Sequence, residues 1–419
     1  LISLSTYATH LMGGQIVANH LGGYDYEVVL TAYRDTIGIP FASTADFEIS
    51  TVDTSGNLNY LFTSTVNYSG PSGGLLPSVQ LVYGVEIYIF TDTITLPGDG
   101  DYVIRWTNCC RNGAIINMAS PLAEDMTLST SIKVDSLNPN SSPSYLAHPI
   151  SYLPAHTFWQ HNPLPFDPDG DSLVWSLATP LGGQTTVMGY QYLSDSIYSD
   201  SSAIFSLDSV TGALSWSASM VGNFAVSFLI EEYRNGIKMG EMRRDMQFIV
   251  IPDTSNSMPQ ISNMQSIPTN TGGYPYITIN PGQNFQLHLL ASDADVNDVV
   301  NMTAFGESFN LTTSPSTLTT TPTGNGNELE GIISWTPTIN EVRSQPYLVV
   351  IRVSDGMFEF DETIQIEVVM TTNIEELEIL DINDDRMYDI LGREFITYES
   401  IPFYTMFLKN GKKFIKIGK

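Results

Sequence analysis

Apolar residues alternate with others at Phe224, Val226, Phe228 and Ile230, and again at Tyr347, Val349, Ile351 and Val353. Successive side chains of a strand point to opposite faces, so a period of two predicts half-buried strands. Three such stretches each run into a turn closed by glycine: DYVIRWTNCCRNG at Gly113, NFAVSFLIEEYRNG at Gly236 and PYLVVIRVSDG at Gly356. Spacings of 123 and 120 residues predict three β-units in tandem. In the second and third, TGALSWSASMVGNFAV and EGIISWTPTINEVRSQPYLVV pass from a glycine turn through a strand ending in Trp216 or Trp335. Both tryptophans are read as core packing. The Thr/Ser/Pro/Gly stretch from Thr312 to Asn327 reads as a long loop, and no sustained helical stripe occurs.

The fold class predicted is therefore all-β, in tandem sandwiches. A length of 419 residues suits two to four domains of roughly 100 to 200 residues. Polar, Pro-containing linkers are expected around Asn138 to Ser144 and Asp253 to Pro259. The expected divisions are a signal-peptide remnant over 1–8, β-units over 9–140, 141–255 and 256–372, and a tail over 373–419. The remnant, LISLSTYA, is apolar with a small-residue approach to Ala8. No later stretch approaches the roughly 18 apolar residues of a membrane span.

Charge is distributed unevenly. Seven of the 17 basic residues follow Asp385, namely Arg386, Arg393, Lys409, Lys412, Lys413, Lys416 and Lys419. With these and the tail's three acidic residues set aside, 10 basic and 42 acidic residues remain, a balance of −32. Such a body repels nucleic acid and anionic lipid and favours divalent cations. The two cysteines, Cys109 and Cys110, exclude a disulfide framework and are expected as a buried, unbonded pair.

The sharpest chemical motif is DPDGDSLVW, in which Asp167, Asp169 and Asp171 alternate around a glycine. Calcium takes six to eight hard oxygen ligands, and an ion offsets the repulsion of carboxylates crowded on a tight loop. An EF-hand is excluded because Ala178 stands where its bidentate Glu belongs. The third unit offers Asp293, Asp295 and Asp298 in SDADVNDVV, with Asp355 in a later turn, and Glu231 and Glu232 occupy the matching turn of the second. Calcium is favoured over the alternative, solvated Asp-Gly turns. Among the six histidines none has zinc-ligand spacing, no serine sits in a G-x-S-x-G elbow, and no enzyme is expected.

The shared tryptophan segments resemble cadherin-like immunoglobulin sandwiches of the dystroglycan type, which implies acidic residues meeting at domain ends. ATHLMGGQIVANHLGGYDYEVVLTAYRD, WTNCCRNGAIINM and the segment through DPDGDSLVW resemble a Bacteroidetes surface module of gliding-motility-associated and adhesin-like proteins. Thr36 stands where related sequences often place a cysteine. The tail MYDILGREFITYESIPFYTMFLKNGKKFIKIGK resembles a type IX secretion sorting signal, carried by Tyr388, Asp389, Leu391, Gly392, Arg393, Glu394, Tyr404, Asn410, Gly411 and Lys412. Its Asn-Gly pair predicts a terminal hairpin. Asp-Ser or Asp-Thr followed by an apolar residue, at Thr36, Thr93, Ser136, Ser172, Ser196 and Ser209, resembles the O-glycosylation signal of that phylum.

Together these imply a non-enzymatic, calcium-stabilised adhesin-like protein. It would be exported to the periplasm and carried by the type IX machinery to the outer surface or medium. A surface glycan or a protein would be its ligand. A filament or sheath subunit that self-associates, and an accessory part of a carbohydrate-active enzyme, are the alternatives.

Overall fold

A computed structural model describes residues 10–41, 43–67, 75–76, 84–252, 256–370, 387–389, 392–402, 406–409 and 412–415. The expected remnant over 1–8 lies outside them. The described elements are strands and short 3-10 turns, so the all-β expectation holds. The chain divides into compact units over 1–369 and 370–419.

Within residues 1–369 the longest strand, Ile237–Ile251, pairs along one edge with Gly222–Arg234. The two-residue turn between them, Asn235-Gly236, has positive φ at both positions, as a tight hairpin requires. Its other edge takes three partners in succession. Met126–Val134 pairs with Gly240 to Arg243, Leu11–Gly22 meets it at Gly14 and Asp245, and Ile150–Pro154 runs parallel to Gln247 to Ile251. One sheet thus crosses the 140/141 boundary expected from sequence. The chains come too close there for side chains: a Cβ on Gly13 would lie 2.6 Å from the Asp245 carbonyl oxygen, and one on Gly240 2.6 Å from that of Ser131. Arg111 and Asp245, both buried, pair at 2.6 Å beside the crossing.

Beyond it, Leu11–Gly22, Asp25–Asp35 and Val85–Thr95 lie on one side, with Met126–Val134, Gly100–Asn108, Thr44–Val52 and Leu58–Asn67 on the other. They enclose a core that includes Ile16, Tyr26, Leu30, Phe47, Phe90 and Trp106. The YRD and CRN motifs meet here, since Asn112 Nδ2 donates to Asp35 Oδ2 at 3.2 Å. Cys109 and Cys110 are bonded to each other and Cys109 is exposed, which corrects the expectation of a buried, unbonded pair. They follow the last residue of the Gly100–Asn108 strand and have no sheet position to bury them.

The third unit is a sandwich of two four-stranded sheets. Within the stretch expected as a loop, Thr317–Pro322 is a strand pairing with Glu328–Trp335, a correction. It lies at the sheet edge, where backbone pairing and threonine's β preference form a strand without an apolar face. Trp216 and Trp335 are buried as expected, and one continuous core runs from the second unit into the third.

Polar contacts pin the seam between those units. Trp159 Nε1 donates to the Glu359 carbonyl at 3.1 Å, and Asn162 N donates to Asp361 Oδ2 at 2.9 Å. Arg352 grips Asp361 through Nε at 2.7 Å and NH2 at 2.8 Å. His161, stacked on Trp159, stands 3.2 Å from the same carboxylate. In the tail unit, Met387–Asp389 pairs with Glu394–Phe395 and with Met406–Lys409, which pairs with Lys412–Ile415. The expected hairpin is thus part of a four-stranded sheet, over a small core of Met387, Ile401 and Phe407.

Burial by itself would raise the Asp361 pKa, but Arg352 and His161 hold it well below its ordinary value of 3.8. Its stabilising contribution is complete above that value and is lost as pH falls toward the folded pKa. Asp361→Asn leaves Arg352 short of its main partner and should cost about 3 kcal/mol in denaturant unfolding at neutral pH. The variant should also lose less stability than the parent on acidification. Equal acid sensitivity of the two would remove Asp361 from this role.

Candidate metal centres at two carboxylate clusters

The loop from Asp167 to Asp171 joins the Pro165–Phe166 and Ser172–Ala178 strands and turns at Gly170, whose φ is 79°. Oδ1 of Asp167 accepts the backbone N–H groups of Asp169 at 2.9 Å and Asp171 at 3.0 Å, fixing the loop. Its buried Oδ2 accepts nothing. Opposite lies Glu232, paired across the sheet with Leu173 and fully buried; Asn140 and Asp171 lie close to its carboxylate, but among the described residues neither oxygen has a hydrogen bond of good geometry. Oxygens of Asp167, Asp171 and Glu232 fall within 4.8 Å of one another.

The other face of this loop is held by Arg234, which makes a bidentate pair with Asp171 at 2.7 and 2.8 Å. Its remaining donors reach the linker at Asn138 Oδ1, the Pro139 carbonyl and Asn140 Oδ1. Asp169 stands 3.4 Å from the same guanidinium and accepts Ser141 N at 2.6 Å. The loop is therefore tied to the segment that leads into the second unit.

The third unit repeats the plan. Asp293 Oδ1 accepts Asp295 N at 2.8 Å, as Asp167 accepts Asp169, and Asp295 Oδ2 accepts Ser257 N at 2.6 Å, as Asp169 accepts Ser141. Asp298 joins Asp293 and Asp295 within 4.8 Å, and the buried Oδ2 atoms of Asp293 and Asp298 have no partner. Asp355 adds its field to Asp293 and takes Asn256 Nδ2 at 2.6 Å.

Burial raises the Asp167 pKa to about 7, opposed by its two backbone bonds and assisted by Asp171. Glu232 is pushed to about 9, first by burial and then by the charge of Asp167. Asp293 is raised by burial and, among charges, by Asp355, Asp295 and Asp298. Close carboxylates with orphaned buried oxygens either retain protons or bind a cation, and all-oxygen donors match calcium. The residues fit that ion; the oxygens of Asp167, Asp171 and Glu232 would hold it in the second unit, and those of Asp293, Asp295 and Asp298 in the third.

Six of the nine carboxylates expected as ligands thus gather in two groups, while Asp169 turns to Arg234 and Ser141, and Asp355 acts on Asp293 from outside its group. Glu231 joins neither, because strand alternation turns it to the opposite face from Glu232, where it pairs with Lys238 at 2.6 Å. Sequence reading missed Arg234, Asn140, Ser141, Asn256 and Ser257. The signal available was an Asn-Ser dipeptide in each linker, Asn140-Ser141 and Asn256-Ser257.

In the tail unit, Asp389 is buried and pairs with Arg393 at 2.6 Å around Gly392, whose φ is 80°. Tyr388 precedes it in the same strand, Glu394 is exposed, and Lys412 opens the last strand. Leu391, Tyr404, Asn410 and Gly411 lie outside the described residues. Thr36, Thr93, Ser136, Ser172, Ser196 and Ser209 are all exposed.

Without added cation, Asp167 and Glu232 retain protons in the folded state to about pH 7 and 9, against ordinary values of 3.8 and 4.5. Their contribution to stability is complete below the ordinary values and is lost as pH rises through the folded ones. The melting temperature in chelator should therefore fall between about pH 5 and pH 9, and saturating calcium should flatten that fall. Parallel curves with and without calcium would exclude cation binding at this pair.

No protein-family model matches the chain, and no curated protein matches it. Among solved structures it is similar to an endo-fucoidan hydrolase from glycoside hydrolase family 107, at 13% identity over 83% of this chain and 42% of that one. A second endo-fucoidan hydrolase from that family aligns at 16% identity over 54% of this chain and 34% of its own. Rst D1-D2 aligns at 10% identity over 54% of this chain and 99% of its own. The chain spans less than half the length of either hydrolase, and the TM-score is 0.18 for all three, too low to carry a statement about fold or activity.

Proposed function

We propose that this is a non-enzymatic, adhesin-like β-sandwich protein delivered to the cell surface by type IX secretion, with calcium joining its second and third units to the linkers that precede them. The supporting observation is the repeated cluster. Each places unpartnered buried carboxylate oxygens beside an aspartate that accepts a serine N–H from a linker, so an ion bound there stiffens the junction. Extracellular calcium is abundant enough to fill sites of modest affinity. Export is supported by the sequence of the tail, whose described strands form a compact unit of their own.

Calorimetry on the chain should detect two calcium sites. Glu232→Gln and Asp293→Asn should each remove one, and each should reduce the calcium-dependent rise in melting temperature. Magnesium should bind more weakly, because it keeps several waters and demands octahedral geometry. Absence of both heat and thermal stabilisation would dismiss the calcium reading. Separately, deleting residues 386–419 should trap the protein in the periplasm, and normal surface delivery of that truncation would refute the sorting role.

A further inference from the structure

Of the ten basic residues in the acidic body, four line a single groove of about 560 Å³: Arg105, Lys133, Lys238 and Arg243. They lie far apart in sequence and are gathered by the Gly100–Asn108, Met126–Val134 and Ile237–Ile251 strands. Arg105 is opposite Ser129, and Ser129 is opposite Arg243, so two guanidinium groups flank a hydroxyl in one row across the sheet. The two lysines are already neutralised, Lys133 by Asp101 at 3.3 Å and Lys238 by Glu231 and Glu241 at 2.6 Å each. The arginines are not. Among the described residues neither forms an ion pair; Arg243 donates to the Thr179 carbonyl and Ser227 Oγ, and the buried Nε of Arg105 has no partner. Glu48 stands directly opposite Arg105 on the next strand, yet among the described residues the two side chains form no ion pair.

Asp101 and Glu241 line the groove beside the lysines they neutralise, so two arginines outside any ion pair among the described residues leave it with a surplus of positive charge that calls for anions. We infer that this groove binds an acidic glycan, a chain bearing sulfate or carboxylate groups. The arginines sit two strand spacings apart, roughly 10 Å, which exceeds the span of one small oxyanion. Charged groups repeated along a chain reach both. Arg offers a planar fork that matches sulfate and carboxylate bidentately, and Ser129 and Ser131 add hydroxyls for sugar oxygens. Among the described residues no aromatic side chain lines the groove, so they offer none of the base stacking that holds single-stranded nucleic acid. The site shares no residue with the carboxylate clusters, so either reading stands if the other fails.

The test is binding of the full chain to size-matched dextran sulfate, carboxymethyl dextran and uncharged dextran. Both charged polymers should bind, with affinity falling as salt rises, and the uncharged one should not. Arg105→Gln and Arg243→Gln should each weaken binding roughly tenfold, as expected for loss of a charge-assisted contact. Ser129→Asp, which sets a carboxylate between the arginines without removing any contact of theirs, should weaken it at unchanged melting temperature. Ser206→Asp, the same charge change at an exposed serine outside the groove, should bind as the parent does. Undiminished binding by R105Q/R243Q and S129D, equal weakening by S206D, equal binding of uncharged dextran, or displacement by inorganic sulfate at the same concentration of sulfate groups would each overturn the inference.

Discussion

A carboxylate taken out of water needs a counter-charge, and residues 1–385 hold 10 bases for 42 acids. The arginines that meet buried aspartates do so where chain segments join. Arg111 holds Asp245 at the crossing of three strands, Arg352 holds Asp361 at the seam between sandwiches, and Arg234 holds Asp171 at a linker. Each pair also binds backbone or side chains of a second segment, so neutralising the charge and fixing the joint are the same event.

After those pairs form, Asp167, Glu232 and Asp293 remain buried, with oxygens that have no well-formed hydrogen bond among the described residues. Their distribution follows the repeat: the same Asp-to-backbone bonds and the same serine contact recur in the second and third units. The clusters differ in one respect. Arg234 already supplies one positive charge to the first, whereas among the described residues the third unit's four aspartates form no ion pair and accept from the Asn256 amide and from backbone donors. The same scarcity of bases gives the basic groove its meaning, because among the described residues Arg105 and Arg243 stay outside ion pairs in a chain where carboxylates are plentiful.

The alternation of apolar residues made the strands legible, and the tryptophan segments marked two sandwich cores, because burial on one face of a strand imposes a period of two. The D-x-D spacing also showed where carboxylates would crowd, since a tight loop brings near neighbours together whatever the fold. Thr317–Pro322 escaped, because an edge strand with exposed side chains carries no apolar rhythm. Glu231 and Glu232 could not be separated by composition; only the face of the Gly222–Arg234 strand turned inward decides between them.

Local order thus determined strand content, the acidic loops, the charge contrast between body and tail, and the tail's candidate turns. Tertiary structure decided which distant residues became neighbours. It carried one strand across an expected domain boundary, bonded two cysteines expected to be free, linked Asn-Ser dipeptides to aspartates 28 and 38 residues later, and set Arg105 beside Ser129 and Arg243. Those outcomes depend on sheet register, which is set by which faces bury together across the whole molecule and leaves no mark in any single segment.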